Sequence, residues 1–353
     1  MRVAIVGCGN IAARYARTTV AEPTLKLAGA TDVVPARAAE LVAEFGGIEY
    51  PTIDALLADD AVDTVVNLTA PQAHAEVTAR SLEAGKHVHT EKPLALRYEE
   101  AKELSALADR LGVRLSAAPA SLLGEAQQTA WKLVREGAIG KVRVAYAEAN
   151  WGRIETWHPT PQGLYAAGPV VDVGVYPLTI LTAMFGPARR VVAYGATVEP
   201  ERVTLDGTAF SPGAPDFNVA LVELESGVVV RLTATFWVRA GKQHGIEFHG
   251  DESSLYLASW GEFDSRLESS ANGEEYTSVP LVREPYRGIE WSRALADLAA
   301  AIDEGRPHRT SAEHAAHVVE VLDAIARSAA TNGGAVQVES GFVPPAPMDW
   351  ARS

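Results

Sequence analysis

A glycine-containing turn near the N-terminus has the residue types and spacing that bind a dinucleotide. The run Gly7–Ala12 follows the apolar segment Val3–Val6, and its first, third and sixth positions hold small residues. The first glycine permits a tight turn, and the second lets the backbone approach a pyrophosphate at the positive end of the next helix. The sequence therefore assigns cofactor binding to Gly7, Gly9, Asn10, Ile11 and Ala12.

An acidic residue stands where this kind of turn requires a ribose ligand. Asp32 ends the second predicted strand, about twenty residues after the turn. A carboxylate there accepts hydrogen bonds from ribose hydroxyls and repels a 2′-phosphate, so we expect NAD as the cofactor rather than NADP. Arg37 follows shortly and is a candidate phosphate ligand that would favour NADP, or else an exposed charge on a helix.

A lysine with a fixed backbone follows a later strand. Glu91, Lys92 and Pro93 follow the short predicted strand Lys86–His89. Ligands bind at the carboxyl ends of strands in parallel sheets, and proline restricts the chain beside the ammonium group. From the residues alone, Lys92 is equally well explained as a site residue or as a surface lysine.

The elements that must position these residues change character along the chain. Strand and helix patterns alternate up to about Pro119, which predicts a parallel sheet with helical crossovers. Strand-rich segments separated by turn residues follow, and two helices close the chain. We expect an α/β protein with a doubly wound Rossmann domain over 1–118 and an α+β domain with a large, mostly antiparallel open sheet over 119–340. Residues 341–353 form a Pro-rich tail, which we expect to be loose or draped over a neighbour.

Composition excludes several classes of function. The 353 residues carry a formal net charge of −14, which disfavours binding to nucleic acid. One cysteine and the lack of a signal-like N-terminus predict a cytoplasmic protein. The apolar stretch 166–185 contains Asp172, two glycines and two prolines, so we interpret it as a buried turn before a core helix and expect no membrane span. His314 and His317 have a spacing compatible with metal binding, but we expect a solvated helix face and no metal.

Four motifs together resemble one known family. They are the Gly7–Ala12 turn, the run Ala84–Val88 leading into Glu91-Lys92-Pro93, the segment Gly137–Val142, and the segment Asp172–Tyr176. In this combination the chain resembles, over nearly its whole length, the glucose-fructose oxidoreductase / inositol dehydrogenase family, often called Gfo/Idh/MocA. That resemblance implies a Rossmann domain followed by an α/β domain whose open sheet packs subunits together.

The resemblance also implies roles for individual residues. In the family, the lysine that corresponds to Lys92 lies beside the nicotinamide and the substrate hydroxyl, and residues corresponding to Asp172 and Tyr176 face the same cleft. Thr69, His74 and Glu91 match positions on the cofactor side, although His74 is also explained as the first residue of a helix. Either Lys92 or Tyr176 is then the group that exchanges a proton with the substrate, and Asp172 orients one of them or binds a sugar hydroxyl.

A loop rich in aromatic and basic residues is the candidate substrate wall. Trp151–Pro159 ends a predicted strand and contains Arg153, Trp157 and His158. Aromatic faces pack on the C–H surfaces of sugars, and Arg and His donate hydrogen bonds to hydroxyls. The competing interpretation is a packing loop with a structural arginine.

The sequence as a whole predicts an NAD(P)-dependent oxidoreductase that transfers a hydride between the nicotinamide and a secondary hydroxyl of a sugar, polyol or related compound. Two alternatives stay open. One is an NAD-dependent glycosidase that works by transient oxidation and elimination, and the other is a catalytically silent cofactor-binding regulator. We expect a homo-oligomer, either a dimer or a tetramer.

Overall fold

Apolar side chains cover both faces of the central strands of the first sheet, which is parallel. The computed structural model of the protein describes residues 1–271 and 273–352. Val3, Ala4 and Ile5 are fully buried in the first strand, as are Val65 and Val66 in the fourth. Strands buried on both faces require helices on both sides of the sheet. The strands are β1 (Arg2–Val6), β2 (Lys26–Thr31), β3 (Ile48–Glu49), β4 (Thr64–Asn67), β5 (His87–Thr90) and β6 (Leu115–Ala117).

The helices that cover this sheet alternate with its strands. They are α1 (Ala12–Ala21), α2 (Pro35–Phe45), α3 (Ile53–Leu57), α4 (His74–Glu83) and α5 (Tyr98–Leu111). The strand order is β3-β2-β1-β4-β5-β6 and every pairing is parallel. This is the doubly wound arrangement of a Rossmann domain, as predicted. The sequence interpretation did not include α3, which is one short turn and a half capped by Thr52.

The second part of the chain forms a larger, mostly antiparallel sheet. It contains β7 (Val142–Asn150), β8 (Ala188–Ala196), β11 (Phe217–Leu224), β12 (Val229–Thr235), β13 (Gly245–Gly250), β14 (Ser253–Leu257), β15 (Leu267–Ala271), β16 (Thr277–Ser278) and β17 (Val336–Gln337). Their order across the sheet is β16-β15-β14-β13-β7-β12-β11-β8-β17, and β7–β12 is the parallel pair. Burial alternates along β11, so one face packs inward and the other carries exposed residues such as Leu221. The predicted fold class is therefore confirmed. Two further short strands, β9 (Arg202–Val203) and β10 (Ala209–Phe210), form a separate antiparallel pair.

The remaining helices are α6 (Glu125–Arg135), α7 (Gln162–Pro169), α8 (Val175–Phe185), α9 (Arg293–Asp303) and α10 (Ala312–Ala330).

The chain divides into two compact units, and one of them combines segments that are far apart in the sequence. One unit contains Met1–Ala120 together with Glu290–Val319, and the other contains Ser121–Ile289 with Glu320–Ser353. The return of Glu290–Val319 to the first unit was not part of the linear division expected from the sequence. Its physical reason is burial, since Leu295 of α9 and Ala316 of α10 join the apolar clusters under the parallel sheet.

The apolar stretch around Asp172 is a bent helix. α7 leads into a π-helical turn over Val170–Gly174, which continues as α8, and Gly168 has a positive φ of 80° at the bend. Within the described residues, Gln162–Phe185 has the length and composition of one membrane span, but over half of its most apolar window is buried. Leu178, Ile180 and Leu181 of α8 are at most 1% exposed, which is the packing of a core helix.

Two expectations about exposure need correction. His314 and His317 do not lie on a solvated helix face, because they are 3% and 0% exposed within α10. Burial holds the pKa of His314 at about 3. The C-terminal tail is anchored to the second unit: Met348 donates its N–H to Gln128, and Ala351 is fully buried.

Candidate functional site

The turn after β1 has the backbone geometry that a dinucleotide requires. Gly7 has a φ of +94°, and a Cβ built on it would lie 2.8 Å from the backbone of Leu68 and Thr69, so only glycine fits. A Cβ on Gly9 would meet no described atom within 4 Å, which leaves open space above the turn. Within the described part of the chain, no side chain caps the N-terminus of α1. This uncapped, open helix end fits a pyrophosphate.

Asp32 is held against this turn by two backbone amides. Its Oδ2 accepts a hydrogen bond from Cys8 N at 2.6 Å, and its Oδ1 accepts one from Val34 N at 2.7 Å. A carboxylate has about four acceptor positions, so capacity for ribose hydroxyls remains. Arg37 is exposed in the first turn of α2. Burial and the nearby Asp32 raise the pKa of the Cys8 thiol to about 12, which agrees with a space-filling role for this cysteine.

The turn after β4 is organised by Asn67, a residue that the sequence interpretation missed. Its Oδ1 accepts from the hydroxyl and the N–H of Thr69, at 2.6 and 3.2 Å, and its Nδ2 donates to the carbonyl of His74 and to Thr78. The ring of His74 lies between two backbone carbonyls, with Nδ1 2.7 Å from Pro93 O and Nε2 3.0 Å from Thr69 O. Since His74 is 1% exposed, it supports this turn and presents almost no surface to a ligand.

Lys92 lies at the carboxyl end of β5 and is partly buried. The preceding Glu91 is 6% exposed, and its Oε2 accepts from the N–H of Lys92 at 3.1 Å. The Tyr15 hydroxyl donates to the other oxygen, Oε1, at 2.8 Å. Both Glu91 carboxylate oxygens therefore accept hydrogen bonds from groups of the protein itself, and Glu91 supports the backbone of the site. Gly7, Asp32, Thr69 and Lys92 all follow the carboxyl ends of strands in the parallel sheet, the edge at which such folds bind nucleotides.

In the second unit, Tyr176 belongs to an aromatic cluster. Asp172 and Tyr176 are four residues apart on the continuous helical stretch that enters α8. The Tyr176 ring packs on Trp260 with centroids 4.7 Å apart, and Trp260 also contacts Trp151 and His244. Sequence reasoning missed Trp260 and His244 because each stands alone in its segment, without a neighbouring motif. Burial lowers the pKa of His244, which favours the neutral ring.

The loop after β7 is tied down by a buried charge network. Arg153 donates to Glu155 Oε1 at 2.6 Å, and the same oxygen accepts from Arg202 at 2.9 Å. Arg202 is fully buried, pairs with Asp216, and stacks on Tyr165, which itself donates to Glu155. Burial opposes ionisation of Glu155, but hydrogen bonds from Tyr165 and Arg153 hold its pKa below the usual range.

The predicted substrate residues of this loop differ in exposure. Trp157 is 53% exposed and contacts His158 edge-to-face, with ring centroids 5.5 Å apart. The Arg153 side chain is 37% exposed, and its guanidinium carbon lies over the Trp237 ring, 5.4 Å from the ring centre. Across residues 1–271 and 273–352, no group of three or more His, Cys, Asp or Glu side chains is arranged to hold a metal ion.

Comparison with known proteins identifies the family. Residues 1–118 match the oxidoreductase family with an NAD-binding Rossmann fold, Gfo/Idh/MocA, and residues 127–256 match the Gfo/Idh/MocA C-terminal domain. The chain is 31% identical to dTDP-3,4-didehydro-2,6-dideoxy-alpha-D-glucose 3-reductase of Actinomadura kijaniata over 73% of this chain and 74% of that protein. It is 26% identical to 1,5-anhydro-D-fructose reductase of Ensifer adhaerens over 97% and 99% of the two chains.

Solved structures show the same fold. A 3-ketoreductase from Actinomadura kijaniata in complex with NADP superposes with a TM-score of 0.74 and 24% identity, covering 93% of this chain and 97% of the other. The two family models and the relative of 31% identity show that the chain belongs to the Gfo/Idh/MocA family. The predicted family and the predicted class, an NAD(P)-dependent oxidoreductase, are confirmed.

Proposed function

We propose that this protein interconverts a secondary hydroxyl and a ketone on a sugar or a closely related polyol. The observation that carries the proposal is Lys92, an ammonium group at the nucleotide-binding edge of the parallel sheet with its backbone fixed by Glu91. The relatives named above are reductases of a dTDP-deoxyhexose and of an anhydrosugar, which supports a carbohydrate substrate.

The chemistry divides between the cofactor and the chain. A bound nicotinamide supplies or accepts the hydride. The chain must move the hydroxyl proton, and Lys92 is our first candidate for this general acid/base role. Tyr176 is the second candidate, with Asp172 as the residue that orients the acid/base group or binds a sugar hydroxyl.

The aromatic cluster of the second unit supports a carbohydrate ligand. Tyr176 is partly exposed beside Trp260, and Trp151 is 38% exposed. Aromatic faces of this kind pack on the C–H surface of a sugar ring. A neutral His244 ring has one nitrogen that donates a hydrogen bond to a hydroxyl and one that accepts a hydrogen bond from it. With Trp157, Arg153 and His158, these residues form our candidate substrate wall.

NAD is our proposed cofactor. Asp32 favours it because a carboxylate held by two backbone amides opposes a 2′-phosphate. The 3-ketoreductase structure contains NADP, so Arg37 is the residue that would support the other choice. Titrating the protein with NADH and with NADPH, and following nicotinamide fluorescence, compares the two dissociation constants directly.

We also propose that copies of the chain associate through the exposed face of the nine-stranded sheet, in a cytoplasmic protein. Leu221 is 48% and Tyr194 is 60% exposed on the neighbouring strands β11 and β8. Leu221→Glu should lower the mass measured by light scattering. Val203→Glu changes an apolar residue of a different strand pair that is 54% exposed, and it should leave the mass unchanged.

The experiment that tests the activity is a panel of aldoses, glycosides, anhydrosugars and cyclitols, each incubated with NAD and assayed for NADH by its absorbance. We expect stoichiometric NADH and a ketosugar with at least one of them. Release of free sugar without accumulation of NADH would indicate the glycosidase instead. Absence of turnover with tight NAD binding would support the silent regulator.

A further inference from the structure

A continuous row of buried hydrogen bonds in the first unit ends on Glu91. Thr310 Oγ1 lies 2.7 Å from Ser116 Oγ, which lies 2.8 Å from His89 Nδ1. His89 Nε2 lies 3.3 Å from the Tyr15 hydroxyl, which donates to Glu91 Oε1 at 2.8 Å. All five residues are at most 6% exposed, so water does not replace any of these contacts.

The donors and acceptors along this row of hydrogen bonds can be assigned in only one consistent way. An ionised carboxylate only accepts, so Tyr15 donates to Glu91 and must itself accept from His89 Nε2–H. Burial lowers the pKa of His89 to about 3, so the ring is neutral and Nδ1 accepts from Ser116. Ser116 then accepts from Thr310. Every proton in the row therefore points toward Glu91.

Glu91 connects this row of hydrogen bonds to the backbone of Lys92. Its second oxygen accepts the N–H of Lys92, so both carboxylate oxygens are occupied by donors in a buried position. A buried carboxylate that loses a donor is strongly destabilised, which fixes the side chain and with it the backbone at Lys92. The carbonyl of the next residue, Pro93, contacts the buried ring of His74 at 2.7 Å. The backbone at Lys92 is thus held from both sides.

We propose that Tyr15 is a positioning residue for Lys92 and acts through the Glu91 carboxylate. This inference rests on the proposed acid/base role of Lys92. Tyr15 lies on α1, far from Lys92 in sequence, and its own ring is packed against Trp291, with ring centroids 5.4 Å apart. Removing only its hydroxyl leaves that packing in place but takes a donor from Glu91 and an acceptor from His89.

The test compares two variants that each lose one tyrosine hydroxyl from the same unit. Tyr15→Phe breaks the row, and Tyr50→Phe is the matched control, because Tyr50 donates to Asp59 at 2.6 Å and has no part in the row. The first readout needs no substrate: the amine reactivity of Lys92 in the intact protein is measured across neutral to alkaline pH by competitive acetylation and peptide mass spectrometry. The second readout is steady-state kinetics with the sugar found in the panel.

We expect Tyr15→Phe to change the pH profile of Lys92 labelling and to lower kcat about 10–100-fold, with KM values within about twofold of wild type. Tyr50→Phe should change neither. Thr310→Val removes the donor at the far end of the row and should have a smaller effect in the same direction; it decides the question if Tyr15→Phe does not fold.

An unchanged Lys92 labelling profile in Tyr15→Phe, or in Thr310→Val if Tyr15→Phe does not fold, overturns the proposal. Unchanged kcat in a folded Tyr15→Phe overturns it as well. If the wild-type protein oxidises no sugar, the proposed function fails, but the labelling measurement still decides whether Tyr15 positions Lys92.

Discussion

Arg153 and Arg202 bind the same carboxylate oxygen, yet their removal should have opposite consequences. Arg202 is fully buried, and its partners Glu155 and Asp216 are 2% and 0% exposed by side chain. Arg202→Ala leaves two buried carboxylates without their shared cation, which costs about 3–5 kcal/mol. For a domain of about 150–250 residues, that loss lowers Tm by roughly 6–20 °C.

Arg153→Ala should cost far less stability. The Arg153 side chain is 37% exposed, so solvent screens its pair with Glu155, and Glu155 keeps both Arg202 and Tyr165. Exposed pairs contribute about 0.2–1 kcal/mol, which corresponds to a Tm change of at most about 4 °C. If N–H groups of Arg153 donate to substrate hydroxyls, KM for the sugar should rise about tenfold in Arg153→Ala, while the Kd for NADH stays the same.

The assay combines thermal melting by circular dichroism with steady-state kinetics on both variants. Arg202→Ala should melt much earlier, and Arg153→Ala should melt near wild type with a raised KM. A Tm drop for Arg153→Ala as large as that for Arg202→Ala, together with an unchanged KM, would show that Arg153 only holds the loop. Arg153, Trp157 and His158 would then be removed from the substrate wall.

Three other changes test the cofactor site, the acid/base group and the buried histidines. Asp32→Ala should lower the ratio of the NADPH dissociation constant to the NADH dissociation constant. A wild-type preference for NADPH would indicate that Arg37 binds the 2′-phosphate instead. Lys92→Ala should lower kcat at least about 100-fold while NADH still binds; near-normal turnover would assign proton transfer to another group such as Tyr176. Burial holds the pKa of both His89 and His314 at about 3, below the unfolded value of about 6.5. The unfolded chain therefore binds protons first, so stability is complete above about pH 6.5 and falls toward pH 3 by about 1.4 kcal/mol per pH unit for each histidine. The measurement is the free energy of urea unfolding between about pH 7 and pH 5. His314→Leu should reduce its dependence on pH by the contribution of one histidine, and an unchanged pH dependence would contradict a low pKa for His314.

The parallel sheet and the cofactor turn were predictable because their signals are local. The apolar run of β1, the glycines and Asp32 lie within a single strand–helix–strand unit, and their spacing is set by backbone geometry alone. The apolar segment Val3–Val6 lies within β1, and Asp32 directly follows β2, as predicted. Lys92 was placed correctly at a strand end for the same reason, while the acid/base role that we propose for it came from the family resemblance.

Side-chain environments were not predictable because they depend on contacts distant in sequence. Arg202 meets Glu155 and Asp216 across separations of 47 and 14 residues, and no local pattern marks any of the three. His314 stands beside Glu313 in sequence, which suggested a solvated face. The helix α10 is instead enclosed on several sides, as the 4% exposure of Glu320 also shows.

The return of residues 290–319 explains why a linear division of the chain was insufficient. A parallel sheet needs cover on both faces, and the first 120 residues do not supply all of it. Leu295 joins the cluster that contains Val3 and Ile5, and Ala316 joins the one that contains Val65. The same segment provides Thr310, the first donor of the row that ends on Glu91. The environment of Lys92 therefore depends on a segment some two hundred positions later in the chain, and a fragment that ends at Ala120 would lack both that cover and that hydrogen bond.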